Sequence, residues 1–113
     1  MHEMSLAESV LQVIEDAARH QRFTRVRTVW LEIGQLACVE PESLCFVLEQ
    51  VTKGSIAEGA RLEIVKIDGR GRCARCERAF PFPALHEPCP DCGSYQVEVT
   101  DGEQLRIREL EVE

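Results

Sequence analysis

Four cysteines stand in two C-x-x-C pairs, Cys73-Ala74-Arg75-Cys76 and Cys89-Pro90-Asp91-Cys92, separated by the stretch Glu77–Pro88. Two residues between cysteines let both sulfurs of a pair face one ion, and two such knuckles supply the four thiolates of a tetrahedral site. Four thiolates leave no position for water or substrate, so the expected chemistry is a closed, structural Zn²⁺ site. Loading it expels the thiol protons, and Arg70, Arg72, Arg75 and Arg78 around the first knuckle favour the thiolate form. Gly93 follows the second knuckle and permits a positive φ there, whereas Glu77 occupies the same place after the first. Two other chemistries use the same residues. Thiol–disulfide exchange would need a thioredoxin-like βαβ context, which is absent around these pairs. A zinc-ribbon interaction module would present the four arginines to nucleic acid or to an acidic protein surface.

Met1-His2-Glu3 is the second group with metal chemistry. The Met1 amine, the His2 backbone nitrogen and the His2 imidazole close two fused chelate rings. A deprotonated amide is a strong in-plane donor that suits square-planar Ni²⁺ or Cu²⁺ better than Zn²⁺. Glu3 completes or tunes such a site; alternatively its carboxylate joins the imidazole and waters in a six-coordinate one. The bulk of His2 is expected to hinder removal of the initiator methionine. From these residues alone, His2 reads more often as an exposed polar side chain than as a ligand.

The elements that must position these groups are legible from periodicity. Ser5-Leu6-Ala7-Glu8 matches a capping box, so a first helix is expected to start near Ser5 and end near His20, leaving Met1, His2 and Glu3 outside it. Leu6, Val10, Val13, Ile14 and Ala17 form its apolar stripe. Val26 to Ile33 is a β-branched and aromatic run ended by Gly34. Pro41 opens a second helix with Leu44, Val47, Leu48 and Val51 on its apolar face and Gly54 as the expected C-cap. Strands follow over 60–67 and 104–112, the last changing phase near Arg108 and Glu109, where a bulge would restore the inward face.

Residues 69–102 differ in character, with a glycine at each end and both knuckles inside. A piece below about 40 residues seldom folds without a staple, and a metal is the obvious one. The expected architecture is α+β. A small sheet of about three strands packs with two helices, and a zinc-ribbon-like module carrying the two knuckles is inserted into it. The expected domains are 1–68 with 103–113, an α/β domain that carries the Met1-His2-Glu3 group, and 69–102, an inserted zinc-binding domain.

Composition removes several function classes. The 113 residues carry a net charge of −7 and only 5% aromatics, which disfavours general binding to nucleic acid or anionic membrane. The longest apolar run, Leu44–Leu48, is far short of the roughly 20 residues of a spanning helix. The N-terminus lacks the basic region and apolar core of an export signal, so a cytoplasmic location is expected. No paired nucleophile and base, phosphate-binding glycine loop or catalytic carboxylate pair is found, so no catalytic residues are assigned and an enzyme is not expected. Cys38 and Cys45 read as small buried hydrophobes, and His20 as a partner for the first helix's C-terminus.

Met1-His2-Glu3-Met4-Ser5-Leu6, Trp30-Leu31-Glu32-Ile33-Gly34, Val39-Glu40-Pro41-Glu42-Ser43-Leu44 and Gly54-Ser55-Ile56-Ala57-Glu58-Gly59, followed by the two knuckles, resemble the HypA/HybF hydrogenase maturation factors. The resemblance runs over essentially the whole chain. It implies a nickel metallochaperone that helps load Ni²⁺ into the [NiFe]-hydrogenase large-subunit precursor together with a HypB-type GTPase. It implies His2 as the principal nickel ligand, with Glu3 beside it, and structural Zn²⁺ at Cys73, Cys76, Cys89 and Cys92; the Met1 amine is the further donor that the chelate rings offer. No nucleic acid or membrane partner is implied, and the chain is expected to be a monomer or weak homodimer. Some relatives carry histidines beside the knuckles. Here the module's histidine is His86, and a strong pH response of the zinc site is not expected.

Overall fold

The computed structural model describes residues 3–113. Met1 and His2, which carry the expected nickel chelate, lie outside the described residues. The chain runs α1 (Glu3–Gln21), β1 (Val26–Gly34), α2 (Pro41–Val51), β2 (Arg61–Ile67), β3 (Arg70–Cys73), β4 (Ala79–Pro81), β5 (Val97–Asp101) and β6 (Leu105–Val112). The two expected helices and the expected three-stranded sheet, in the order β2-β1-β6, are present. A second three-stranded sheet, β4-β3-β5, lies within the knuckle segment. The chain divides into two compact units. One comprises Met1–Leu31, Val39–Ile64 and Arg106–Glu113; the other comprises Glu32–Cys38 and Val65–Leu105.

In the first unit, α1 buries Ala7, Val10 and Ile14. Val13, expected on the same stripe, is 55% exposed, because the buried line runs 7, 10, 14 and turns position 13 outward. Two further expectations fail at the start of α1. Ser5 lies inside the helix, not at its cap, and its carbonyl accepts from the Ser9 hydroxyl at 3.0 Å. A capping residue needs non-helical backbone angles, which Ser5 lacks. Glu3 consequently belongs to the first turn, where its negative charge suits the positive end of the helix dipole. At the other end His20 Nδ1 is 2.8 Å from the Asp16 carbonyl.

The central strand β1 is covered on both sides, with Val26, Thr28 and Val29 buried within this unit. The Thr28 hydroxyl donates to Glu111 Oε1 at 2.7 Å. Pro41 occupies the first turn of α2, preceded by Glu40, whose carboxylate accepts from the Glu42 amide at 3.2 Å. Leu44 and Leu48 are its buried residues. The helix is capped by Thr52, two residues before the expected Gly54. Thr52 donates its hydroxyl to the Leu48 carbonyl at 2.8 Å, and its own carbonyl accepts from the Ser55 amide at 2.9 Å and hydroxyl at 2.6 Å. These bonds satisfy the last turn without a left-handed residue. Gly54, with φ +80°, serves the following turn and donates its amide to Glu58 Oε1 at 2.8 Å. Along β6 the half-buried residues are Leu105, Ile107 and Leu110, so the phase does change after Ile107.

The second unit has its own core: Leu36, Cys73, Phe80, Phe82 and Cys89, with Val97 and Val99 packed against it. The two phenyl rings meet edge to face, with centroids 5.8 Å apart and planes at 85°. Strand β3 pairs antiparallel with both β4 and β5, placing Gly71 opposite Phe80 and Val99. Gly71 has no room for a side chain, because a Cβ there would lie 2.7 Å from Val97 Cγ1. The chain enters and leaves the knuckle segment through a similarly tight passage. A Cβ on Gly102 would lie 2.5 Å from the Gly69 Cα, and one on Gly34 would lie 2.0 Å from the Gly102 carbonyl oxygen. Only glycines allow three backbones to approach this closely.

Candidate metal centre

Strand β3 delivers Cys73 to the centre of the second unit, and a tight turn returns the chain so that Cys76 faces the same point. The turn is closed by the Glu77 amide donating to the Cys73 carbonyl at 2.9 Å and the Cys73 amide donating to the Arg78 carbonyl at 2.9 Å. The second knuckle repeats this pattern. Gly93 donates to the Cys89 carbonyl at 2.9 Å, and Cys89 donates to the Ser94 carbonyl at 2.8 Å. The residue after each second cysteine is left-handed, with φ +67° at Glu77 and +73° at Gly93. The first knuckle thus adopts the same turn with a non-glycine residue, which carries a backbone strain of about 1–2 kcal/mol.

The four sulfurs lie within 4.8 Å of one another. Cys73 Sγ is 3.6 Å from Cys92 Sγ, and Cys76 Sγ is 3.7 Å from Cys89 Sγ. These separations are too long for a disulfide, whose sulfurs are about 2.05 Å apart. A tetrahedron with Zn–S bonds of about 2.3 Å has edges of about 3.8 Å. The donor set therefore fits a single thiophilic ion with no open position. Each knuckle contributes one buried sulfur residue, Cys73 and Cys89, and one exposed, Cys76 and Cys92.

Backbone amides, desolvation and the neighbouring sulfurs set the acid–base behaviour of the thiols. The Cys73 thiol is lowered to about 6, first by the Cys76 backbone amide 3.4 Å from its sulfur, and also by the Arg75 amide and the Cys92 and Cys76 side chains, against desolvation. Cys76 rises to about 11: the Arg78 amide lowers it, but desolvation and the Cys89, Cys73 and Cys92 sulfurs together raise it further. One thiolate forms readily, and its presence resists the next. A divalent cation removes that resistance by compensating the accumulated charge.

Arg78, expected to act on the thiolates as one of four arginines, forms an ion pair with Asp91 at 2.6 Å and so bridges the two knuckles across their exposed side. Arg72 pairs with Glu77 at 3.4 Å. Sequence reasoning missed both pairings; Glu77 among the arginines was a local signal for the first, whereas Asp91, 13 residues from Arg78, is brought to it only by the fold. Each is an exposed pair, which ordinarily contributes at most about 1 kcal/mol. Cys38 is exposed, with φ +58°, in contrast to the buried position expected of it. Its place in a left-handed turn, with Sγ 3.7 Å from the Leu36 carbonyl, keeps it out of the core. Cys45 is half-buried, and its thiol is raised by burial and by the Glu49 charge. Neither joins the four-cysteine group, nor does exposed His86. Glu3 stands half-buried in the first turn of α1 and belongs to no cluster of metal-binding side chains among the described residues.

One prediction arises at Gly93. An added Cβ meets nothing within 4 Å, so Gly93→Ala tests backbone strain alone. A net cost of about 1 kcal/mol is expected, seen as roughly fivefold weaker zinc retention in chelator competition. Unchanged retention would show that the second knuckle does not need its left-handed turn.

The family model described as hydrogenase/urease nickel incorporation, metallochaperone, hypA, matches residues 1–112. The chain is 56% identical to the hydrogenase maturation factor HypA of Azotobacter chroococcum mcd 1 over 113 residues, covering 100% of both chains. It is 54% identical to that of Azotobacter vinelandii over the same 113 residues, again 100% of both. Among solved structures, the solution structure of the Ni metallochaperone HypA from Helicobacter pylori matches with a TM-score of 0.75 and 25% identity, covering 99% of this chain and 97% of that one.

Proposed function

We propose, from the premise that this chain belongs to the HypA family of nickel-incorporation metallochaperones, that it carries Ni²⁺ at its N-terminus and holds Zn²⁺ at Cys73, Cys76, Cys89 and Cys92. His2 is the principal nickel ligand, with Glu3 and the Met1 amine as further donors. The nickel passes to the precursor of a [NiFe]-hydrogenase large subunit, with a HypB-type GTPase as partner, in the cytoplasm and without catalysis by this chain. The observation that carries this reading is the match to a nickel-incorporation family over residues 1–112, because it includes the terminal His2 and both knuckles together.

Two metals with opposite requirements call for two kinds of site. Cargo must leave, so a terminal site with few ligands suits Ni²⁺. A resident ion must stay, so four thiolates suit Zn²⁺; when bound it supplies no reactive position and acts only as a tether. Among the described residues no helix is long and apolar enough to cross a membrane. The interaction-module alternative is weakened by the pairing of Arg72 and Arg78 with Glu77 and Asp91, which takes two of the four arginines away from an anionic partner.

The test is an equilibrium nickel titration of tag-free protein beside a nucleic-acid binding assay across a salt series. Nickel binding with no salt-sensitive nucleic-acid binding is expected. The reverse outcome would make the chain a zinc-ribbon interaction module.

A further inference from the structure

The turn that follows β1, Gly34–Cys38, is far in sequence from the cysteines, yet it belongs to the knuckle unit. Leu36 is 5% exposed and shares a core with Cys73, Cys89, Phe80 and Phe82. The place it fills depends on Gly69, where a Cβ would stand 2.9 Å from Leu36 Cγ and 3.0 Å from its Cδ1. The same turn holds both ends of the excursion that carries the knuckles. Gln35 donates its amide to the Ile67 carbonyl at 2.8 Å, and its side-chain oxygen accepts from the Gly69 amide at 2.9 Å. Leu36 donates its amide to the Gly102 carbonyl at 2.7 Å. The excursion 70–101 is therefore closed by a hydrogen-bonded clasp at its base, while a metal would close it at the sulfurs.

We propose that the Gly34–Cys38 turn is a wall of the four-cysteine site, with Leu36 as a positioning residue, so that metal binding and the order of this turn are reciprocally coupled. The physical basis is linkage. If the ion is held best when Leu36 backs Cys73 and Cys89, then an ordered turn raises metal affinity, and a bound metal orders the turn by the same factor. Leu36 touches no ion. It acts by filling the space behind two buried sulfur residues, so that their rotamers do not have to be fixed at the moment of binding.

This inference rests on zinc being the ion held by the cysteines, and stoichiometric zinc in the wild-type protein is the first measurement. Its absence would sink that assignment without bearing on the clasp. With zinc present, chelator competition compares wild type, Leu36→Ala, Leu36→Met and Leu44→Ala. Leu44 is buried at least as deeply, at 0% against 5% exposed, but lies on α2 in the first unit. Leu36→Ala is expected to bind zinc about a hundredfold more weakly, Leu36→Met to recover most of the loss, and Leu44→Ala to stay within about twofold of wild type. Cobalt substitution supplies a readout that general destabilisation would not move. The visible bands of the tetrathiolate site should shift in Leu36→Ala and return in Leu36→Met. In the wild-type protein, chelation should abolish amide-exchange protection at Gln35 and Leu36 along with that of β3. Equal zinc affinity in Leu36→Ala and wild type, an equal loss in Leu44→Ala, or protection at Gln35 and Leu36 that survives chelation would each overturn the proposal. If Leu36→Ala does not fold, Leu36→Met and the wild-type exchange experiment decide it.

Discussion

Cys73→Ala is expected to lose stoichiometric zinc and to unfold β3, β4 and β5, while α1 and α2 keep their helical signal. The apolar core around the knuckles is small, with Leu36, Phe80 and Phe82 as its large carbon side chains. Each contributes only about 1.5–3 kcal/mol when fully buried. Ordering each residue of the knuckle segment costs roughly 1–2 kcal/mol in backbone entropy alone. Zinc binding to four thiolates supplies on the order of 10–16 kcal/mol in small zinc peptides, and that is the term the substitution removes. Cys73 is also completely buried, so alanine leaves a void as well as an open coordination position. Cys92, which is exposed, provides the comparison: Cys92→Ala removes a ligand without a core side chain and should be the milder of the two. The first unit keeps its own buried residues, among them Ala7, Val10, Ile14, Leu44 and Leu48, and so retains helix. Zinc stoichiometry and amide exchange over 70–101 are the measurements. A Cys73→Ala protein with full zinc content and unchanged exchange would refute the four-thiolate site.

His2→Ala is expected to lower nickel affinity by at least tenfold and to impair hydrogenase maturation, with zinc content and thermal stability near wild type. The imidazole is the anchor of the proposed chelate, and its loss leaves an amine and a backbone amide. That amide has little reason to deprotonate without the ring that closes the chelate around the ion. The proposed zinc site has its full four ligands in Cys73, Cys76, Cys89 and Cys92, so it requires no donor from position 2. Two tagged proteins refine the geometry. An uncleaved N-terminal extension removes the Met1 amine and should weaken nickel binding if that amine is a donor. It should matter little if the imidazole, the Glu3 carboxylate and waters hold the ion instead. Undiminished nickel binding by His2→Ala would refute the N-terminal site and direct attention to His86 and the cysteine unit.

What the amino-acid sequence determined by itself is the chemistry set by short-range spacing. Two residues between cysteines suffice to aim both sulfurs at one point, so the tetrathiolate was legible before any fold was known. The β-branched run ending at Gly34 and the proline at position 41 likewise constrain their own backbones, and β1 and α2 lie where those residues imply. Helix ends were less legible. Ser5-Leu6-Ala7-Glu8 carries the residue types of a cap, but Glu3 already belongs to the helix, and a capping pattern has no force inside a hydrogen-bonded turn. Gly54 looked like a terminator, yet Thr52 ends α2 first by satisfying the Leu48 carbonyl with its own side chain.

Tertiary structure decided what depends on the path of the chain between distant residues. Strands as short as Arg70–Cys73 and Ala79–Pro81 contain too few residues for a two-residue period to stand out, and their pairing is what makes them strands. The mutual approach of Gly34, Gly69 and Gly102 is a contact among three separate segments, so each glycine seen alone is only a turn signal. Leu36 is the clearest case. Nothing in its neighbours distinguishes it from an apolar residue in a loop. It joins the core of Cys73 and Cys89 because Gly69, having no side chain, leaves space for it and the Gly102 carbonyl accepts from its amide, and only the folded chain brings those segments together.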